Sequence, residues 1–298
     1  MIETFDAALP HGIMLSCRRN QSPAAKRVLF LHGFPEAAFV WDEVMLALQD
    51  QAQCVAPNLR GFERSSTPAA AADYRPKHLV ADVLALIEQL GGPIDLLVAH
   101  DWGGAVAWNI AAQQPQAIGQ LLIINSPHPA TFLRDLRDNP AQQAASAYMN
   151  FLCRPDAAQL LSENNFARLW RFLHRLADGG EAAPPWLNAE LRQAYEAVWR
   201  RGLQGGLNYY VASPLKPSGS AQDAVNTIVL PDEAVTSRVP TTVLWGEGDA
   251  ALLPGLLDGL ERWVPQLRLQ RVPGASHWLV HEQPQLVVAE VKRCLGLG

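Results

Sequence analysis

The 298-residue sequence predicts an α/β fold, a mostly parallel central sheet flanked by helices and interrupted by a long helical insertion. Three observations carry the prediction. Short, nearly continuous apolar runs alternate with segments of helical periodicity, and strands apolar on both sides belong to a parallel sheet covered on both faces. The runs end in loop-forming residues. After Pro127-His128-Pro129 the alternation stops, and the chain reads as helix from about residue 130 to 215.

The elements follow in order. Strand Val28–Leu31 runs into His32-Gly33, and Cys54–Ala56 ends at Pro57. Val80, Val83, Leu84 and Ile87 keep the i, i+3, i+4, i+7 spacing of one buried helix face. Ile94–Ala99 is an almost unbroken apolar strand, Gly103–Gln113 reads as a helix and Leu121–Ile124 as the next strand. Within the insertion, Leu169, Phe172, Leu173 and Leu176 share one helix face, and Arg168, Arg171 and Arg175 share the solvated one. Ala183-Pro184-Pro185 and Ser213–Ser220 mark turns. The alternation resumes with strand Thr242–Trp245, a helix near Leu256–Trp263, strand Leu267–Val272 and a last helix to Cys294. The chain thus divides into a first core part, 1–128, a helical insertion, 129–228, and a second core part, 229–298. No internal repeat is visible.

Composition excludes several classes. Lys plus Arg number 24 against 29 Asp plus Glu, a formal net charge of −5, so no basic excess exists to neutralise nucleic acid or an anionic membrane. Cys17, Cys54, Cys153 and Cys294 are far apart and form neither a disulfide framework nor a zinc-ligand spacing. The first residues lack a basic region followed by a long apolar stretch, so no signal peptide is read there. Apolar runs such as Leu121–Ile124 fall far short of the roughly 20 residues of a membrane span. A reducing cytoplasm is the expected location, and no metal or cofactor is expected.

The most informative segment is Val98-Ala99-His100-Asp101-Trp102-Gly103-Gly104, between a buried strand and a helix. A sharp strand-to-helix turn needs small residues two before and two after its apex, because the backbone folds back on itself. Ala99 and Gly103 meet that need around Asp101. The apex is a carboxylate where the G-x-S-x-G version carries a serine. An aspartate at a helix start is also a common N-cap, so this motif alone leaves two readings. Three other segments separate them. His32-Gly33-Phe34-Pro35-Glu36 follows a strand where an α/β hydrolase supplies one oxyanion-hole N–H. Leu244-Trp245-Gly246-Glu247-Gly248-Asp249 leaves Asp249 on a late loop, and Gly274-Ala275-Ser276-His277-Trp278 places His277 before the last helix. The order nucleophile, acid, histidine is that of the α/β-hydrolase triad, and each loop lies at a strand's carboxyl end, where open α/β sheets place their sites. The expected fold is therefore the α/β-hydrolase fold.

On these motifs the chain resembles the epoxide hydrolase family, in the epoxide hydrolase and haloalkane dehalogenase branch of that superfamily. The residues are HGFPE at 32–36, HDWGG at 100–104 and the insertion after NSPHP at 125–129, and the resemblance covers nearly the full length. It implies that the insertion is a helical cap domain. It also implies that Asp101 forms an alkyl-enzyme ester, which a histidine-activated water then hydrolyses. The chemistry agrees: a carboxylate can displace a leaving group at an sp³ carbon, and the ester so formed has an attackable carbonyl. Attack on an ordinary ester would give an anhydride and gain little. His277 would deprotonate the water, with Asp249 holding its tautomer. The backbone N–H groups of Phe34, in the segment opened by His32, and of Trp102, after the nucleophile, would stabilise the oxyanion. The alternative acid position in this branch, after strand Leu121–Ile124, holds Asn125 and Ser126, which favours Asp249.

The leaving group separates the two branch members. An epoxide opens to an alkoxide and needs a proton donor, whereas a halide leaves as a stable anion and needs only N–H donors. In the epoxide hydrolases two cap tyrosines donate; a tyrosine hydroxyl, with a pKa about 10, stays protonated at neutral pH. Gly206-Leu207-Asn208-Tyr209-Tyr210 resembles the family's second tyrosine segment and points to Tyr210, and Ser146-Ala147-Tyr148 resembles the first and points to Tyr148. The implied substrates are a small apolar epoxide and water, with homo-oligomerisation left open. The alternative is a haloalkane dehalogenase with the same triad and the Trp102 indole facing a halide. Against it, Phe34 stands where many haloalkane dehalogenases carry a halide-binding asparagine. A non-catalytic small-molecule binder is a further alternative, since fold does not fix function.

The remaining polar and aromatic residues read more plainly. His100 is expected to pack beneath the elbow, His128 to make a structural contact at the cap hinge, and Tyr209, Trp170 and Trp186 to pack. Asp73, His78 and His281 read as surface or helix-cap residues. Two departures from the family pattern bear on geometry: Glu63 stands where glycine or asparagine is usual, and Ser276 replaces a frequent glycine before the histidine.

Overall fold

The structure is a computed structural model that describes residues 1–178, 180 and 182–297. Its strands are β1 Ile2–Ala8, β2 Met14–Asn20, β3 Arg27–Leu31, β4 Gln53–Pro57, β5 Ile94–His100, β6 Ile118–Ile124, β7 Thr241–Gly246 and β8 Leu267–Val272. They form one sheet in the order β1-β2-β4-β3-β5-β6-β7-β8. β2 is antiparallel to both β1 and β4, and every pairing from β4 to β8 is parallel.

The continuous apolar runs are explained by burial on both faces. In β5, Leu97 and Ala99 belong to one apolar layer with Leu79, Val83 and Trp108, on the side of helices Pro76–Gln89 and Asp101–Gln113. Leu96 and Val98 belong to the opposite layer with Val44, Val287 and Val291, on the side of helices Asp42–Ala47 and Pro284–Leu295. The β1–β2 hairpin has no sequence-derived counterpart, because an edge strand with partly solvated faces carries only a weak alternation.

Between β6 and β7 the chain forms helices Pro129–Asp138, Pro140–Ala145, Tyr148–Leu152, Ala157–Asp178, Ala189–Trp199 and Gln204–Ala212. The fourth is interrupted, since Asn164, Asn165 and Phe166 take positive φ of 50°, 53° and 62°. Leu169 and Leu173 are fully buried while Arg168, Arg171 and Arg175 are exposed, as their spacing predicts. This layer docks on the loops after β3 and β4. The Trp199 indole donates to the Pro35 carbonyl at 2.7 Å, and the Tyr209 hydroxyl donates to the Arg60 carbonyl at 2.9 Å. Gly205 and Gly61 meet backbone to backbone, leaving no room for a Cβ on either. His128 accepts from Ala130 N and pairs through Nε2 with the Val235 carbonyl at 2.9 Å, tying the start of the insertion to the segment before β7. The helix expected near Leu256–Trp263 is instead two short 3₁₀ turns, Pro254–Leu257 and Leu260–Arg262. Gly259, at φ 74°, breaks the run between them.

Candidate active site

Asp101 sits at the junction of β5 and helix Asp101–Gln113 with φ 48°, a left-handed conformation costly for a side-chain-bearing residue. Its surroundings hold it there. A Cβ on Gly103 would stand 2.5 Å from the Leu31 carbonyl oxygen, and one on Gly33 would overlap the Asp101 side chain. Only glycine lets the loop after β3 approach the apex so closely. Ser126 completes the clamp by donating its hydroxyl to the Asp101 carbonyl at 2.7 Å.

The Phe34 N–H donates to Oδ1 of Asp101 at 2.9 Å, leaving Oδ2 towards His277, whose Nε2 lies 3.9 Å away. His277 Nδ1 meets Oδ2 of Asp249 at 2.7 Å. Asp249 is buried, and its Oδ1 accepts from the N–H groups of Ala251 and Leu252 at 2.8 and 2.9 Å. Asn125 donates to Asp249 Oδ2 at 2.8 Å and also bonds both backbone polar groups of Gly246. The hydrogen-bonding capacity of this buried carboxylate is thus met by donors on both oxygens. Burial by itself would push His277 down, but the Asp249, Asp101 and Glu36 carboxylates around it hold the imidazolium up to about 9.

Tyr148 opens helix Tyr148–Leu152 and Tyr210 lies in helix Gln204–Ala212, their rings 6.2 Å apart and near perpendicular. Burial, together with the Asp101 charge, raises both hydroxyls well above 10, so they stay protonated. Both face a cavity with Asp101, Trp102, Phe132 and Met149 in its wall. The Trp102 ring stands edge-on to those of Tyr209 and Tyr210. The structure therefore brings Asp101, His277, Asp249, Phe34, Trp102, Tyr148 and Tyr210 together. His32 lies outside the cavity wall: it accepts from Leu59 N–H at 3.0 Å, donates to the Gly33 carbonyl at 2.9 Å, and burial pushes it down to about 4. As a neutral imidazole it holds the shape of the loop that carries Phe34.

Sequence reading missed a buried network behind His277. Glu36 accepts from the Tyr195 hydroxyl at 2.7 Å and contacts His281 Nε2 at 2.9 Å and His100 Nδ1 at 3.1 Å. His100 Nε2 reaches the His277 carbonyl at 2.9 Å. His281 is thus no surface residue; it stacks on Trp186 with ring centroids 4.4 Å apart. The only signal was the glutamate closing the 32–36 motif, since its partners come from three separate segments. Glu63 takes φ 52°, the conformation that glycine or asparagine prefers. Among the described residues, no group of three or more His, Cys, Asp or Glu side chains is arranged to hold a metal ion.

Residues 26–284 match the sequence pattern of the family described as the alpha/beta hydrolase fold. The chain belongs to the α/β-hydrolase family. Curated relatives within it include Epoxide hydrolase 4 of Mus musculus, 31% identical over 264 residues that cover 87% of this chain and 70% of the mouse protein. The AB hydrolase superfamily protein YfhM of Bacillus subtilis is 31% identical over 281 residues, covering 93% of this chain and 92% of its own. Among solved structures, an inhibitor complex of Bacillus megaterium epoxide hydrolase superposes with a TM-score of 0.87 at 29% identity, over 98% of this chain and 100% of that one. An epoxide hydrolase from hot-environment metagenomes gives 0.87 at 33% identity, with 99% of each chain covered. As in other α/β hydrolases, the candidate residues other than the two tyrosines lie at the carboxyl ends of parallel strands, here β3, β5, β7 and β8, with Asn125 after β6. No helix among the described residues is long and apolar enough to cross a membrane.

Proposed function

We propose that the protein hydrolyses an epoxide to a vicinal diol through an ester on Asp101, with residues 129–228 acting as a cap over core parts 1–128 and 229–298. The observation that carries this reading is a carboxylate, not a serine, at the elbow, sharing one cavity with the side chains of Tyr148 and Tyr210. Relatives known as epoxide hydrolases support it. Asp101 Oδ2 attacks an epoxide carbon; the carbon–oxygen bond breaks, and the departing oxygen takes a proton from one of the tyrosines. Oδ1, held by Phe34 N–H, becomes the carbonyl oxygen of the ester.

Esterification removes the Asp101 charge, one of the anions that keep His277 protonated. With that charge gone the imidazolium releases its proton to solvent and takes one up again when Asp101 regains its charge, so the imidazole is a base only while there is an ester to hydrolyse. His277 Nε2 takes the proton of a water whose oxygen adds to Cγ, and the oxyanion develops on Oδ1 against the Phe34 N–H. Collapse breaks the alkyl ester bond, the leaving oxygen takes the proton from His277, and the acid left on Asp101 returns a proton to the tyrosine. The sum is epoxide plus water to diol. Asp249 holds the Nδ1 tautomer and stabilises the imidazolium.

The test is intact-mass spectrometry of a His277→Gln variant mixed with aryl and alkyl epoxides. A stable adduct of one substrate mass, mapped to Asp101, is expected, with diol formed only by the unmodified enzyme. A variant that turns over normally, or an adduct elsewhere, overturns the mechanism. Matched haloalkanes run in parallel read free halide; halide without diol would move the assignment to a dehalogenase.

A further inference from the structure

A second space adjoins the catalytic cavity. A larger groove runs between helix Asp101–Gln113 and the chain leaving helix Gln204–Ala212. Trp102, Ala105, Pro129, Ser213 and Leu215 wall both spaces, so the two share a boundary that begins beside the nucleophile. The groove's surface is mainly apolar, with Leu79, Val106, Ile228 and Leu230 along it, and charge is confined to a few residues such as Arg75 and Lys216. Val211, in its wall, is among the few large apolar side chains left exposed, at 39%. An exposed apolar side chain inside a concave apolar surface marks a place where a ligand removes area from water.

The opposite approach to the tyrosines is filled. Phe34 packs on Tyr210 with centroids 5.5 Å apart and faces Phe172 at 6.4 Å, and Phe172 packs on Tyr148 at 5.2 Å. Neither Phe34 nor Phe172 lines either space. Aromatic rings therefore occupy the Phe34–Phe172 side of the tyrosines, whereas the groove lies on the Trp102–Leu215 side.

Building on the epoxide reading above, we propose that this groove is a subsite for the substituent of the epoxide, which makes the substrate a terminal epoxide on a long apolar chain. The three-membered ring sits between Asp101 and the tyrosines, and the chain runs past Ala105 and Leu215 into the groove.

The test is kcat/KM for 1,2-epoxybutane, 1,2-epoxyhexane, 1,2-epoxyoctane and 1,2-epoxydecane, with an internal epoxide carrying equal alkyl arms as comparison. Burying each added methylene raises kcat/KM by up to about fourfold, so a rise continuing to the C10 substrate is expected, with the symmetrical internal epoxide far behind. Val211→Glu and, separately, Ile228→Glu should lower the ratio of the C10 to the C4 value at least tenfold; both sites are surface-accessible enough to test one against the other. A flat series, or a ratio unchanged in both variants, overturns the groove assignment. Its failure is distinct from failure of the epoxide reading: in the first case short epoxides still give diol and the His277→Gln adduct, in the second no chain length gives either.

Discussion

Asn125 donates its side-chain N–H to the same Asp249 oxygen that His277 uses, at 2.8 Å against 2.7 Å. Asn125 also bonds both backbone polar groups of Gly246, at the end of β7. The residue at the alternative acid position thus supports the candidate acid, Asp249. It fixes the Asp249 carboxylate from the β6 side, while Ala251 and Leu252 hold the other oxygen.

Replacing Asn125 with Ala should leave Asp249 under-coordinated and let His277 swing. We expect a loss of about 1–3 kcal/mol in stability and at least a tenfold lower kcat, with hydrolysis of the ester more affected than its formation. Asn125→Asp should be worse, because two buried carboxylates within hydrogen-bond reach cannot both ionise. Urea denaturation alongside pre-steady-state kinetics reads both effects; wild-type hydrolysis rates in Asn125→Ala would rule out a supporting role.

The pH behaviour follows from His277, held at about 9 in the fold against 6.5 for an ordinary imidazole. A raised folded value means that its stabilising contribution is complete below about 6.5 and is lost as pH rises through about 9. Removing one of the anions responsible, by Asp101→Asn, should lower the His277 value. Imidazole NMR titration of the two proteins checks this, and equal values in both would refute the electrostatic coupling on which the ordered mechanism rests.

Tyr148→Phe or Tyr210→Phe alone should lower the rate of epoxide opening by about 10²–10³, and the double substitution should abolish it. Each variant removes one hydroxyl and leaves the ring packing intact, so thermal stability should change little. Diol formation persisting in the double variant would remove the tyrosines from the reaction.

Glu36 is a buried carboxylate shared by Tyr195, His100 and His281. Burial alone would raise its carboxyl, but the bonds from His100 and His281 hold it well below the usual range. A depressed carboxyl stabilises the fold above about 4.5, and that contribution is lost as pH falls. Glu36→Ala should therefore destabilise by about 3–5 kcal/mol, since it strands its partners, whereas Tyr195→Phe should cost about 1 kcal/mol. Melting curves at pH 7 and pH 4 distinguish the cases: the gap between wild type and Glu36→Ala should narrow at the lower pH, and a constant gap would show that packing alone is lost.

Much of the architecture was legible because it depends on local order. Continuous apolar runs such as Ile94–Ala99 are what a strand buried on both faces requires, and the small residues Ala99 and Gly103 announce a sharp turn whatever surrounds it. The β1–β2 hairpin was not legible, since its burial comes from pairing with β4 rather than from its own pattern. The 3₁₀ turns after Asp249 were missed because apolar spacing near Leu256–Trp263 imitates a helix until Gly259 breaks it.

By itself the sequence determined the fold class, the carboxylate at the elbow and the chain order of the candidate triad, all of which are properties of residue type and succession. Only the tertiary structure decided which groups stand together: Asn125 beside His277 on Asp249, the Glu36 network behind it, and the groove beside the cavity. Those contacts join segments up to 245 residues apart, and a hydrogen bond of 2.7–3.1 Å is a property of how strands and helices pack, which no local pattern encodes.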